Sequence, residues 1–167
     1  AADGSDWGLV SARWILPDGT DVPTEHAAAY HLGHGRLDGF GDNVVPELGA
    51  MFLGLSSGTA RSPEDPGYVA PDGYVKGYTS GFPAGFPVSV PGCPTQGTPN
   101  DGAGLEVVLR VPDNATGLQF RFKYHTADIP GWDCSEFMDQ FTGILDPAPG
   151  GSPNGNITFD HLLNPVL

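Results

Sequence analysis

The sequence predicts an all-β fold: a jelly-roll-like sandwich with long Gly/Pro-rich loops and at most one or two short helices. Three observations carry this. First, 25 glycines and 17 prolines stand among 167 residues, and each costs a helix interior about 1 or 3 kcal/mol. Second, Leu105, Val107, Leu109 and Val111 alternate with Glu106, Val108 and Arg110. Third, Leu118, Phe120, Phe122 and Tyr124 alternate with Gln119, Arg121, Lys123 and His125. Period-two alternation on both sides of the turn-rich stretch 112–117 reads as an antiparallel strand pair with one buried face.

Along the chain, a first strand is expected at 7–16, with Val10, Ala12, Trp14 and Leu16 on one face. A short helix fits 25–32, with Thr24 as cap, Ala27 to Ala29 as helix formers and Gly33 as stop. Further strands are expected at 50–56, 139–146 and 156–160. Asp-Gly turns begin at Asp3, Asp18, Asp38, Asp72 and Asp101. The whole of 1–167 reads as a single sandwich domain, long enough to bury about 70% of its unfolded surface. Residues 62–103 read as a long loop insertion. Its Gly-aromatic pairs set Tyr68, Tyr74, Tyr78, Phe82 and Phe86 as contacts for a partner or glycan, with Trp132 as the exposed tryptophan.

Charge narrows the function. Twenty acids against seven Lys and Arg give a net charge of −13, which repels phosphate backbones and anionic lipid. Nucleic-acid binding and direct membrane insertion are therefore not expected, and no apolar run reaches the ~20 residues of a membrane helix. Cys93 and Cys134 match no zinc pattern. Their Gly/Pro-rich surroundings suggest a disulfide closing a long loop, hence a secreted or cell-surface protein. Ala1 to Ser5 read as the mature end left after a signal peptide.

The densest chemistry is Asp128, Asp133, Glu136 and Asp139, four carboxylates in twelve residues. Hard oxygens without histidine suit Ca²⁺, so Asp128 and Asp139 are expected to share one ion, with Asp133 or Glu136 and backbone carbonyls completing the shell. Catalysis finds little support. Ser56-Ser57-Gly58 lacks a nucleophile elbow, and His26, His31 and His34 lack the His-Glu-x-x-His arrangement of a zinc helix.

The stretch from Phe120 to Pro130, followed by Cys134 and Met138-Asp139-Gln140-Phe141, resembles choice-of-anchor L domains of exported bacterial surface proteins. His34-Gly35-Arg36-Leu37, Phe40-Gly41, Leu55-Ser56-Ser57-Gly58 and residues 154–160 extend the resemblance over most of 6–165. Asp128 stands where that pattern has Glu, and Met138 where it has Asn. The resemblance implies an extracellular module and no catalytic residues. The function expected is a non-catalytic, calcium-binding surface module. It would act in adhesion or as a self-assembling structural subunit, with itself or another surface protein or glycan as partner. A carbohydrate-binding module or glycan-active hydrolase is the alternative.

Overall fold

A computed structural model describes residues 7–70, 74–87, 90–160, 162, 164 and 166. The turns expected at Asp3 and Asp72, and the mature N-terminal end, lie outside the described residues. The described chain is β-class with small antiparallel sheets and one short α-helix. It forms two compact units, Ala1–Gly81 with Thr98–Ala115, and Phe82–Gly97 with Thr116–Leu167. No helix among the described residues is long and apolar enough to cross a membrane.

The first unit contains every regular strand among the described residues. Strand β1 (Gly8–Ile15) is followed by a 3₁₀ turn (Thr24–His26), helix α1 (Ala27–Leu32), and strands β2 (His34–Leu37), β3 (Phe52–Leu55) and β4 (Gly104–Arg110). Thr24 makes no capping bond; the 3₁₀ turn leads directly into α1. Gly33 does terminate α1, its N–H donating to the Tyr30 carbonyl at 2.9 Å. β2 and β3 pair antiparallel from His34–Leu55 to Leu37–Phe52.

The expected pairing of 105–111 with 118–124 does not form. Residues 118–124 make no strand, and β4 pairs antiparallel with β1. The six-residue connection 112–117 is longer than the usual hairpin loop and closes only one turn, Ala115 N–H to the Pro112 carbonyl. β1 offers a matching face instead: Trp14 opposes Leu105, Ala12 opposes Val107 and Leu9 opposes Leu109. On the other face Arg13 opposes Glu106 and grips its carboxylate through Nε at 2.7 Å and a terminal nitrogen at 3.0 Å.

The core of this unit is small. Leu16, Tyr30 and Tyr78 are buried together, with Val22, Ala29 and Ala103 against them. Tyr30 joins helix to sheet, its hydroxyl lying within hydrogen-bond reach of the carbonyls of Ile15 (2.6 Å) and Gly104 (2.9 Å). Beyond that seam the apolar face of the ribbon is uncovered: Leu9, Val107, Leu109 and Val111 are 44–66% exposed.

The second unit is built from turns and isolated bridges. The strands expected at 139–146 and 156–160 reduce to bridges Phe141–Val166 and Ile144–Asn156. Its most buried side chain is Thr158, whose Oγ1 accepts the Gly143 N–H at 2.9 Å. Phe122 packs between Phe120 and Phe141. With so little sheet, the Cys93–Cys134 disulfide is the main long-range tie. Closing a loop of 41 residues removes about 4 kcal/mol of denatured-state entropy by the chain-entropy relation.

Candidate functional site

In the first unit, the end of α1 and the start of β2 place histidines beside a tryptophan from β1. The Trp14 indole stacks on His34 with centroids 3.8 Å apart and planes 17° from parallel. His31 meets His34 edge-on at 4.9 Å. On either side of this stack lie open depressions of about 520 and 600 Å³, sharing Trp14, His31 and His34. The smaller is completed by Arg36, Arg61 and Asp65; the larger by Arg13, Asp21 and Tyr30.

Two glycines make the arrangement sterically possible. A Cβ on Gly35 would stand 2.5 Å from the Ala60 carbonyl oxygen and 2.8 Å from an Arg61 guanidinium nitrogen. With that space free, Arg61 donates to the carbonyls of His34 (2.6 Å), Ala60 (2.7 Å) and His31 (2.9 Å). A Cβ on Gly33 would collide with the Lys76 Nζ, which donates to the Ser56 carbonyl at 2.9 Å.

These cations set the local electrostatics. Burial, then His31, Arg61 and Lys76, push the His34 imidazole down to about 4, so it is neutral at physiological pH. Burial pushes the Lys76 ammonium down to about 8, against the pull of Asp101. Arg13 is neutralised by Glu106 and Asp21. Arg36, in contrast, makes no side-chain hydrogen bond or ion pair among the described residues. His26 lies against Tyr78 at 5.6 Å, away from the other two histidines' ring contact.

The residues singled out from sequence are distributed differently. Asp128 and Asp139 come together: an Asp128 oxygen accepts the Asp139 backbone N–H at 2.9 Å. Glu136 is held by its carbonyl, which accepts the Gly97 N–H at 2.9 Å, and its side chain is exposed, as is that of Asp133. Among the described residues, no group of three or more His, Cys, Asp or Glu is arranged to hold a metal ion. Gln96 donates to the carbonyl of Met138, the residue before Asp139, at 3.0 Å, and its own buried Oε1 has no hydrogen-bond partner among the described residues. The Tyr124 hydroxyl is pushed up to about 12 by burial, then by Asp139 and Asp128.

Of the aromatic segment, Tyr68 is exposed, while Tyr74, Phe82 and Phe86 are half-buried. Tyr78 is a correction: expected as a contact residue, it is 3% exposed, with its hydroxyl within hydrogen-bond reach of the carbonyls of Asp101 and Gly102. Trp132 is exposed as expected, edge-on to Phe137 at 5.6 Å. Sequence reading missed Arg36, Arg61 and Asp65 as a group; the glycines flanking His34 were the available signal. No family, curated protein or solved structure matches this chain.

Proposed function

We propose that the chain is a non-catalytic, exported module of jelly-roll-like class that works by association, its partner being a second copy of itself. The observation that carries this is the uncovered apolar face of the β1–β4 ribbon. Leu9, Val107, Leu109 and Val111 form a continuous exposed strip, and such patches mark interaction surfaces. The opposite face bears the Arg13–Glu106 pair alongside the exposed Val108. A strip along an antiparallel ribbon can meet its own copy about a two-fold axis, each residue finding the same set across the interface. The disulfide and the choice-of-anchor L resemblance support export to an oxidising compartment.

Calcium belongs to the same proposal, at Asp128 and Asp139. The adjacency of these two carboxylates supports it, since Ca²⁺ takes carboxylate oxygens together with backbone carbonyls.

Sedimentation velocity over a wide concentration range tests association. The wild-type chain should shift from monomer to dimer, and a V107K/L109K variant should stay monomeric with unchanged circular dichroism. A wild-type chain monomeric throughout, or a variant that associates equally well, would overturn the proposal.

A further inference from the structure

We infer that the depression beside Trp14 is a binding site for an acidic sugar, a pyranose ring bearing a carboxylate, and that Arg36 and Arg61 receive the carboxylate. The site lies within the first unit and shares no residue with the strip Leu9, Val107, Leu109 and Val111.

Charge comes first. In a chain of net charge −13, this depression collects two guanidiniums against one carboxylate, Asp65. Asp65 is already engaged, one oxygen accepting the Ser62 N–H at 2.8 Å. Arg61 is fixed in place: of the five N–H donors of a guanidinium, three go to the carbonyls of His34, Ala60 and His31. Two donors remain on a group whose orientation is already set, which suits recognition of a planar carboxylate. Arg36, exposed and unpaired among the described residues, supplies a second guanidinium.

Shape and polarity give the rest of the ligand. The Trp14 indole is held against His34 and keeps 37% of its surface exposed, an apolar plate for the C–H face of a sugar ring. The free oxygen of Asp65 can accept hydroxyl hydrogens, and His31 stands at the rim as a further hydrogen-bonding group. A volume of about 520 Å³ falls within the ~300–1,000 Å³ of small-molecule clefts. A ring with hydroxyls and one carboxylate uses plate, acceptor and cations together. A neutral sugar leaves the guanidiniums unused, and a simple anion leaves the indole unused.

The test is titration of the intact chain with galacturonic acid and short oligogalacturonates, followed by calorimetry and by fluorescence of a W7F/W132F variant in which Trp14 is the sole indole. Saturable binding with a Trp14 response is expected, with galactose and acetate each weaker by roughly tenfold or more. Arg36→Ala should weaken uronate binding by roughly tenfold or more without moving the melting temperature. Because Arg61 braces three carbonyls, Arg61→Lys is compared only after its fold is verified; it should bind more weakly than wild type. Absence of saturable binding overturns the inference. So does galactose or acetate binding as tightly as the uronate, or an Arg36→Ala variant that binds normally. Dimerisation is read separately, so failure of either proposal is distinguishable.

Discussion

Asp101 is where a single substitution should do most damage to the first unit. It sits at φ 56°, in the left-handed region, and is 6% exposed. Its two oxygens accept the backbone N–H groups of Lys76 (2.8 Å) and Tyr78 (3.1 Å), and its own N–H donates to the Tyr78 carbonyl at 2.9 Å. Asp101→Ala leaves two buried donors unpaired, at about 1–3 kcal/mol each. It also places a side chain that cannot bond locally in a conformation costing roughly 1–2 kcal/mol. The expected loss is about 3–8 kcal/mol, a large fraction of the total stability of a small unit. Asp101→Gly loses the same bonds but accepts the backbone angle, so it should be milder by about 1 kcal/mol. Asp101→Asn keeps one acceptor and turns an NH₂ toward the other N–H, giving a loss of about 2 kcal/mol. Urea unfolding at neutral pH, read by circular dichroism, ranks the three. An Asp101→Ala loss under about 1 kcal/mol, or a glycine variant no better than alanine, would refute the account of this turn.

Three further expectations rest on other groups. Free Ca²⁺ should raise the melting temperature, by about 2.7 kcal/mol at a hundredfold excess over Kd, chelator should reverse it, and Asp139→Ala should abolish the response; identical melting in chelator and calcium removes the site. His34 is held below its ordinary 6.5, at about 4, so the unfolded chain takes its proton first and stability should fall as pH drops from about 6.5 to 4. Lys76 is held at about 8 against an ordinary 10.5, so its contribution should rise with pH above 8 as the unfolded chain alone retains the proton. Urea midpoints of His34→Gln and Lys76→Met against wild type, across both windows, should flatten the respective slopes; unchanged slopes would remove these groups as the cause.

What was legible in the sequence was local. The alternation of 7–16 and 105–111, the alanine run before Gly33 and the strand at 50–56 each declare one element, and each is present within a few residues. The disulfide was legible because two cysteines admit one pairing. Partner choice was not legible. Residues 105–111 and 118–124 alternate equally well, and period two names a face without naming who pairs with it. The partner taken, β1, is remote in sequence: Arg13 meets Glu106, 93 residues away. The aromatics failed in the same way: spacing treats Tyr78 like Tyr68, whereas burial of Tyr78 depends on a turn at Asp101, 23 residues further on.

The groove shows why composition misleads about function here. Seven Lys and Arg in a chain of twenty acids suggest a uniformly anionic surface. Yet Lys76 is buried against the Ser56 carbonyl, Arg61 lies against three carbonyls, and Gly33 and Gly35 are the residues that let them in. Three of the seven cations, Arg36, Arg61 and Lys76, are thus gathered around one short segment, His31 to Arg36, while Arg13 is cancelled in place. Screening confines these fields to about 10 Å at ordinary ionic strength, so an approaching carboxylate feels this segment rather than the net charge. A strongly acidic chain can therefore repel polyanions at large and still offer one cationic, aromatic-floored site to a small acidic ring.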